Sequence, residues 1–381
     1  MEARRLTLPL TRVRALRTDA GTVAAMSLIF GGFVASRMIV LVSAFLSETI
    51  LVRNPNLTSG DSGFLLRAFT SWDGWWYMGI AQNGYHVAAI QGAYHDYAFL
   101  PLYPVLVRFL SLPVPAATGL IAVVASNALF AVALVLLFEL GRRHFGDRRA
   151  AMACFLLAIS PFSVMFSMAY GESLFLVLSV GSFLAAERGN RRLAGVLLGL
   201  SALARLQGAI LFLPLWLLFF RQDAHKLKLS QAWVLLGPLA VGGFLLFVAW
   251  LTGSFSAYGA SQADWGRGVV GSVPSGQTIG ATMNPIPITL LVILCATIWP
   301  LVYARVDGLR IEYVLIPVLY LGATFVSGDL ESIGRYATAA FPLFWLLANR
   351  RTIFWRRGWP AISAGLLGVF SLLSFGGYWT P

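Results

Sequence analysis

Apolar stretches recur along the chain from residue 21 to the C-terminus, separated by short polar stretches. No polar block is long enough for a separate soluble domain. At roughly 20 apolar residues per crossing, the pattern predicts spans at 21–46, 116–140, 149–168, 172–187, 192–204, 208–220, 231–252, 285–303, 310–327, 335–349 and 359–379. That is about eleven transmembrane helices in one membrane-embedded domain over residues 1–381, an all-α polytopic protein. The two segments around residue 206 read equally as one long broken helix.

Composition agrees with this class. Of the 381 residues, 58% are hydrophobic and 12% charged, and the mean hydropathy is +0.76, far from the make-up of a soluble domain. A net charge of +12 raises the question of nucleic acid, but the cations form no basic face; they cluster in short loops. Cys154 and Cys295 fall in different apolar segments, so no disulfide framework or metal-binding CxxC is expected. The arginine-rich first 20 residues lead into an apolar run without a small-x-small cleavage site, the pattern of an uncleaved first span.

Lys and Arg in short loops stay cytoplasmic, and alternate loops carry 21 of the 28 cations. The N-terminus is therefore expected in the cytoplasm, with two long outer loops at about 47–115 and 253–284. Residues 98–112, AFLPLYPVLVRFLSL, are apolar, but a full crossing would invert every later loop. With Pro101 and Pro104 they read as a re-entrant or interfacial helix.

Long loops in a compact membrane protein carry binding or chemistry, and most ionisable groups outside the basic loops fall on this outer side. Asp73 stands in SWDGWWYMGIAQNGY. At helical spacing, Phe64, Leu65, Ala68, Phe69, Trp72, Trp76 and Ile80 form one apolar face over 64–82, with Asp73 at its edge. There it is either a capping residue in an aromatic belt or a carboxylate made more basic by apolar neighbours and placed to take a proton. Glu172 occupies a short outer turn, either favoured by the helix dipole or held near the membrane for function. Arg205 and Arg335 stand at outer span ends, where a lipid phosphate or a buried carboxylate would offset their cost; guanidinium suits phosphate because its fork donates in pairs. Snorkelling to headgroups is the alternative. Arg37 lies roughly 13 Å inside the first span and either faces the interior or snorkels. Gln262, Asp264, Trp265 and Arg267 combine a stacking ring with polar groups, as in sugar sites. His86, His95 and Asp96 are too scattered to predict a metal site.

Taken in order, SWDGWWYMGIAQNGY, FLPLYP, SPFSVMFSMAYGESLFLVLS, ARLQGAILFLPL, ASQADWGR and GRYATAAFPLFWLLA resemble the PIG-V-type mannosyltransferases over about residues 28 to 349. The resemblance implies a GT-C glycosyltransferase fold and a polyprenyl-phosphate-linked sugar donor, usually mannose, used on the non-cytoplasmic side. It also implies a catalytic acid in the first outer loop, here Asp73, with Glu172 in the matching Tyr-x-Glu-Ser-Leu turn and Arg335 and Tyr336 in the late motif. The chain is shorter than the eukaryotic enzymes of this kind, so no GPI acceptor or partner subunit follows.

The expected reaction is inverting transfer of a mannosyl or other hexosyl unit to an acceptor hydroxyl on a lipid or glycan. Asp73 is the general base, Arg205 and Arg335 bind the donor phosphate, and Trp72, Trp76, Glu172, Gln262, Trp265, Arg267 and Tyr336 contact sugar or acceptor. Membrane lipids are partners and nucleic acid is not; no cofactor or metal is indicated. The rival readings are a lipid-linked-sugar flippase, which would call for an internal repeat and mid-membrane polar groups, and a non-catalytic scaffold of the same fold.

Overall fold

The computed structural model of the protein describes residues 10–265, 302, 304, 307–327, 332–350 and 352–378. Arg267 and, apart from Val302, the expected span at 285–303 lie outside them. Among the described residues the chain is helical, with isolated bridges at Ser59–Ser71 and Gln91–Tyr94 in place of strands.

Helix α1 (Leu10–Ile50) opens the chain. Its buried positions Ala25, Ile29, Gly32, Ser36, Val40 and Ala44 recur at helical spacing, while Phe30, Val34, Met38 and Phe45 are exposed. Small residues toward the protein and large ones outward are the pattern of a lipid-facing helix packed closely on its neighbours. Gly32 shows how closely: a Cβ there would lie 2.7 Å from Phe155.

The segment between this helix and the next long one follows, with α2 (Leu66–Phe69), α3 (Asp73–Asn83) and α4 (Leu102–Ser111). Then come α5 (Thr118–Phe145), α6 (Asp147–Ala158), α7 (Glu172–Glu187), α8 (Arg191–Ala204), α9 (Gln207–Ile210), α10 (Phe212–Gln222) and α11 (Leu236–Thr252). Past α12 (Ala257–Asp264), the described helices are α13 (Ile311–Ser327), α14 (Ile333–Ala339), α15 (Pro342–Ala348) and α16 (Trp359–Gly376).

Among the described residues, four stretches are long and apolar enough to cross a bilayer: Gly21–Ile50, Pro115–Phe145, Leu229–Thr252 and Trp359–Gly376. The other expected spans that are described form shorter helices, so a count of eleven crossings does not follow from them. Their breaks have local causes. Helix α6 stops before Pro161, because proline removes a donor and disfavours helix at the preceding residue; a 3-10 turn, Ser163–Phe166, follows. The expected span at 335–349 is split into α14 and α15 ahead of Pro342. Around residue 206 the structure has a sharp turn, with Arg205 extended at φ −152° and ψ 143°. Gly208 sits so close to the backbone of Ser201 and Ala202 that a Cβ would be 2.4 Å away.

Within 98–112, helix α4 has only 10 residues, about 15 Å. Its Arg108 donates to the carbonyls of Ala81 and Gln82 at the end of α3, where helical carbonyls otherwise lack partners. At the heart of the bundle α7 is apolar all round and buried from Glu172 to Ala186 apart from Val177 and Gly181, as an internal helix must be.

Candidate active site

The expectation of one helix over 64–82 fails at residues 70–72, between α2 and α3. Trp72 has φ +57° and ψ −125°, a left-handed conformation that costs a side-chain-bearing residue about 1–3 kcal/mol. The surroundings hold it there. Its indole N–H donates to the Ser374 carbonyl at 2.9 Å, the Thr70 carbonyl accepts from the Gly60 N–H, and the Phe69 carbonyl accepts from the Ala169 N–H at 2.8 Å. The break ends α2 and makes Asp73 the first residue of α3, turned toward the bundle instead of lying on the edge of an interfacial helix.

Opposite it, the antiparallel hairpin of α7 and α8 brings residues 172 and 205 to the same end, since one begins α7 and the other follows α8. Helix α14 supplies Arg335. The Arg335 guanidinium donates through Nη2 to Asp73 Oδ2 at 2.5 Å and through Nε to Glu172 Oε1. Arg205 Nη1 donates to the same Glu172 oxygen, and Arg205 Nε approaches Gln207 Oε1 at 3.4 Å. Two carboxylates and two guanidinium groups thus form one connected cluster. Glu172 is fully buried and Arg335 is 4% exposed, while the Asp73 side chain keeps 15% of its surface.

Rings back the guanidinium planes. Arg335 lies 5.0 Å from the Tyr170 ring and Arg205 lies 5.6 Å from the Tyr336 ring, both within cation–π range. Among the described residues the second oxygen of Glu172, Oε2, has no hydrogen-bond donor, so the cluster retains a free acceptor in its interior.

The sugar-stacking candidates sit differently from expectation. Trp76 is 5% exposed, stacked on Phe99 at 5.5 Å and met edge-on by Trp265 at 5.5 Å. Trp265 also packs on Tyr94 at 4.5 Å. Gln262 donates to the Ala98 carbonyl at 2.9 Å. These side chains tie α12 to the segment between α1 and α5 and cover one another's faces. Tyr77, four residues after Asp73 on the same face of α3, joins this wall to the charged cluster through Phe99 at 5.4 Å and Tyr170 at 6.5 Å.

Two features lay beyond the sequence reading, and a third decides between its alternatives for Arg37. His86 and Asp96, taken as scattered, form a pair at 2.8 Å, and Asp96 also accepts from the His86 backbone N–H. Arg37 faces inward, donating to the Ser163 carbonyl and hydroxyl at 3.2 Å and lying 4.8 Å from the Phe130 ring, so it braces the turn that leads to Tyr170 and Glu172. Tyr170 and Tyr77 carried only weak signals, their spacing from the two acids. Among the described residues, no group of three or more His, Cys, Asp or Glu side chains gathers as a metal site.

Comparison with known proteins fits this architecture. The chain is 31% identical over 156 residues to GPI alpha-1,6-mannosyltransferase 2 of Mus musculus, covering 38% of this chain and 30% of that one. It is 30% identical over 136 residues to GPI mannosyltransferase 2 of Drosophila pseudoobscura pseudoobscura, covering 33% and 29%. The matched stretch therefore spans less than a third of these curated relatives. Among solved structures, the fold is similar to ArnT from Cupriavidus metallidurans bound to undecaprenyl phosphate, with a TM-score of 0.51 and 14% identity over 91% of this chain and 76% of that one. It is also similar to the apo oligosaccharyltransferase of Archaeoglobus fulgidus, with a TM-score of 0.53 and 12% identity over 93% and 56%. These likenesses show a shared fold. The family model for mannosyltransferase (PIG-V) matches residues 33–261, more than half of the sequence that supplies Asp73, Glu172 and Arg205, and the chain belongs to that family.

Proposed function

We propose that the protein is an integral-membrane mannosyltransferase that moves a mannosyl or other hexosyl unit from a polyprenyl-phosphate donor to an acceptor hydroxyl on a lipid or glycan. The N-terminus is cytoplasmic and the reaction occurs on the opposite face. The observation that carries this reading is the Arg335 bridge, which joins a partly exposed carboxylate, Asp73, to a buried Glu172 and through it to Arg205. A proton acceptor and two phosphate-recognising cations thereby share one cluster.

In the proposed reaction, the acceptor oxygen attacks C1 of the sugar, the C1–O(phosphate) bond breaks, and its electron pair leaves on the phosphate. The acceptor proton passes to Asp73. In-line attack inverts the anomeric centre. No general acid is required, because phosphate leaves readily; Arg205 and Arg335 stabilise the charge that grows on it. The ArnT structure of similar fold contains undecaprenyl phosphate, a lipid phosphate of the class proposed here as the leaving group. In the cluster Arg335 holds Asp73 in an ion pair. Donor phosphate competing for Arg335 would free Asp73 for the acceptor hydroxyl.

A proton acceptor one guanidinium away from a phosphate site favours transfer over transport. The test supplies purified protein with polyprenyl-phosphate mannose and a membrane lipid extract and identifies products by mass spectrometry. A new mannosylated species with stoichiometric polyprenyl phosphate is expected. No release of polyprenyl phosphate with any acceptor contradicts the proposal.

A further inference from the structure

At the end of α7 and α8 opposite the charged cluster, a groove of about 980 Å³ opens between the α7–α8 turn and the 3-10 segment Leu229–Leu235 that leads into α11. Its rim carries Arg188, Arg191 and Arg192, its floor is Trp233, and its wall is Leu235 and Leu239; no acidic side chain lines it. The three cations are not equivalent. Arg191 is committed to Asp223, with N–O distances of 2.8 and 2.9 Å. Arg188 meets Glu139 at 3.4 Å with 53% of its side chain exposed. Arg192 is exposed and lies 6.0 Å from the Trp233 ring; among the described residues it makes no ion pair. The leucines continue the apolar surface into the bilayer-length stretch Leu229–Thr252, with Leu235 49% and Leu239 64% exposed.

A basic rim above an apolar wall, where a span leaves the bilayer, has the polarity of an amphiphile with an anionic head. Basic pockets at helix ends on the cytoplasmic side attract anionic headgroups, and guanidinium binds phosphate oxygens in pairs. We propose that this groove binds an anionic phospholipid, its phosphate on Arg188 and Arg192 and its first acyl segment along Leu235 and Leu239. The site is distinct from the Asp73 cluster and independent of the transferase reading. It is joined to that cluster through α8, which carries the groove at its start and Arg205 just past its end. The lipid therefore clamps α8 onto α11 from the far side.

The test is native mass spectrometry of the full-length protein taken from nanodiscs of phosphatidylcholine alone or mixed with phosphatidylglycerol. The wild type is expected to retain phosphatidylglycerol several-fold over phosphatidylcholine. Arg188→Ala combined with Arg192→Ala should abolish that preference, Arg192→Lys should keep most of it, and Arg148→Ala, in a different basic turn, should keep all of it. If the double variant is unstable, Arg192→Ala alone carries the comparison, since that guanidinium makes no ion pair among the described residues. Equal retention of both lipids, equal loss in Arg148→Ala, or displacement of the lipid by inorganic phosphate at millimolar concentration would each overturn the proposal.

Discussion

Glu172 accepts from two guanidinium groups while fully buried, so its charge is what makes Arg205 and Arg335 tolerable inside the protein. Breaking a buried pair by removing one partner costs about 3–5 kcal/mol. Glu172→Gln is accordingly expected to destabilise the protein by that order, seen as a lowered melting temperature in detergent; an unchanged melting temperature would mean the cluster is solvated. Arg335→Lys separates the other role. An ammonium lacks the planar fork that reaches Asp73 and Glu172 together, so transfer should fall about 100-fold with folding retained. Full activity would remove bidentate recognition from the account. The four ionisable residues were legible in the sequence because each stood where a charge is costly. A buried carboxylate as partner of Arg205 and Arg335 was one of the alternatives read there; that Asp73 joins them was not legible, because its placement follows the break at residues 70–72, to which hydrophobic periodicity is blind. Trp76, Gln262 and Trp265, expected to contact sugar or acceptor, pack on one another and on Ala98, contacts between distant segments that periodicity does not encode.

Most helices were visible as apolar runs, and the positions of α7, α8, α11 and α16 lie close to those expected. What the pattern missed was where the runs at 149–168 and 335–349 break inside the protein, and prolines explain both. The break it did place, between 204 and 208, rests on Gly208. Adding a Cβ at Gly208 would bring it within 2.4 Å of the Ser201 and Ala202 backbone, whereas nothing lies within 4 Å of one at Gly79 in α3. Gly208→Ala should therefore destabilise the protein and disturb Arg205, while Gly79→Ala should be neutral or stabilising by up to about 1 kcal/mol. Thermal unfolding of the two variants side by side checks this; equal behaviour would mean that the turn is not tightly packed. Asp223 offers a second test at this scale. Hydrogen bonds from Arg191, then Gln231 and Lys228, hold its carboxyl well below the ordinary value. A depressed folded-state pKa gives stability that is present above the unfolded value, about 4 for aspartate, and lost as pH falls further. The wild type should thus lose melting temperature below about pH 4, and Asp223→Asn should start lower at neutral pH with a flatter acid limb. Matching slopes would remove Asp223 from the join between α8 and the α10–α11 connection.

Across the whole molecule, charge separates into two ends. At one, Arg149 reaches the Trp345 and Asp307 carbonyls, Arg310 pairs with Glu187, Arg221 with Glu312, and Arg350 with Asp307. These contacts knit the basic loops together on what we propose is the cytoplasmic side. At the other end stand Asp73, Glu172, Arg205 and Arg335. Ordered motifs indicated the family before any fold was known, because a run of matched segments carries more information than one acid. The route from family to mechanism passes through Asp73, and it is tested most directly by comparing release of polyprenyl phosphate from polyprenyl-phosphate mannose by the wild type and by Asp73→Asn, each with a verified melting temperature. The account predicts a fall of about 10²- to 10⁴-fold in a folded variant. Release at the wild-type rate by folded Asp73→Asn would contradict it.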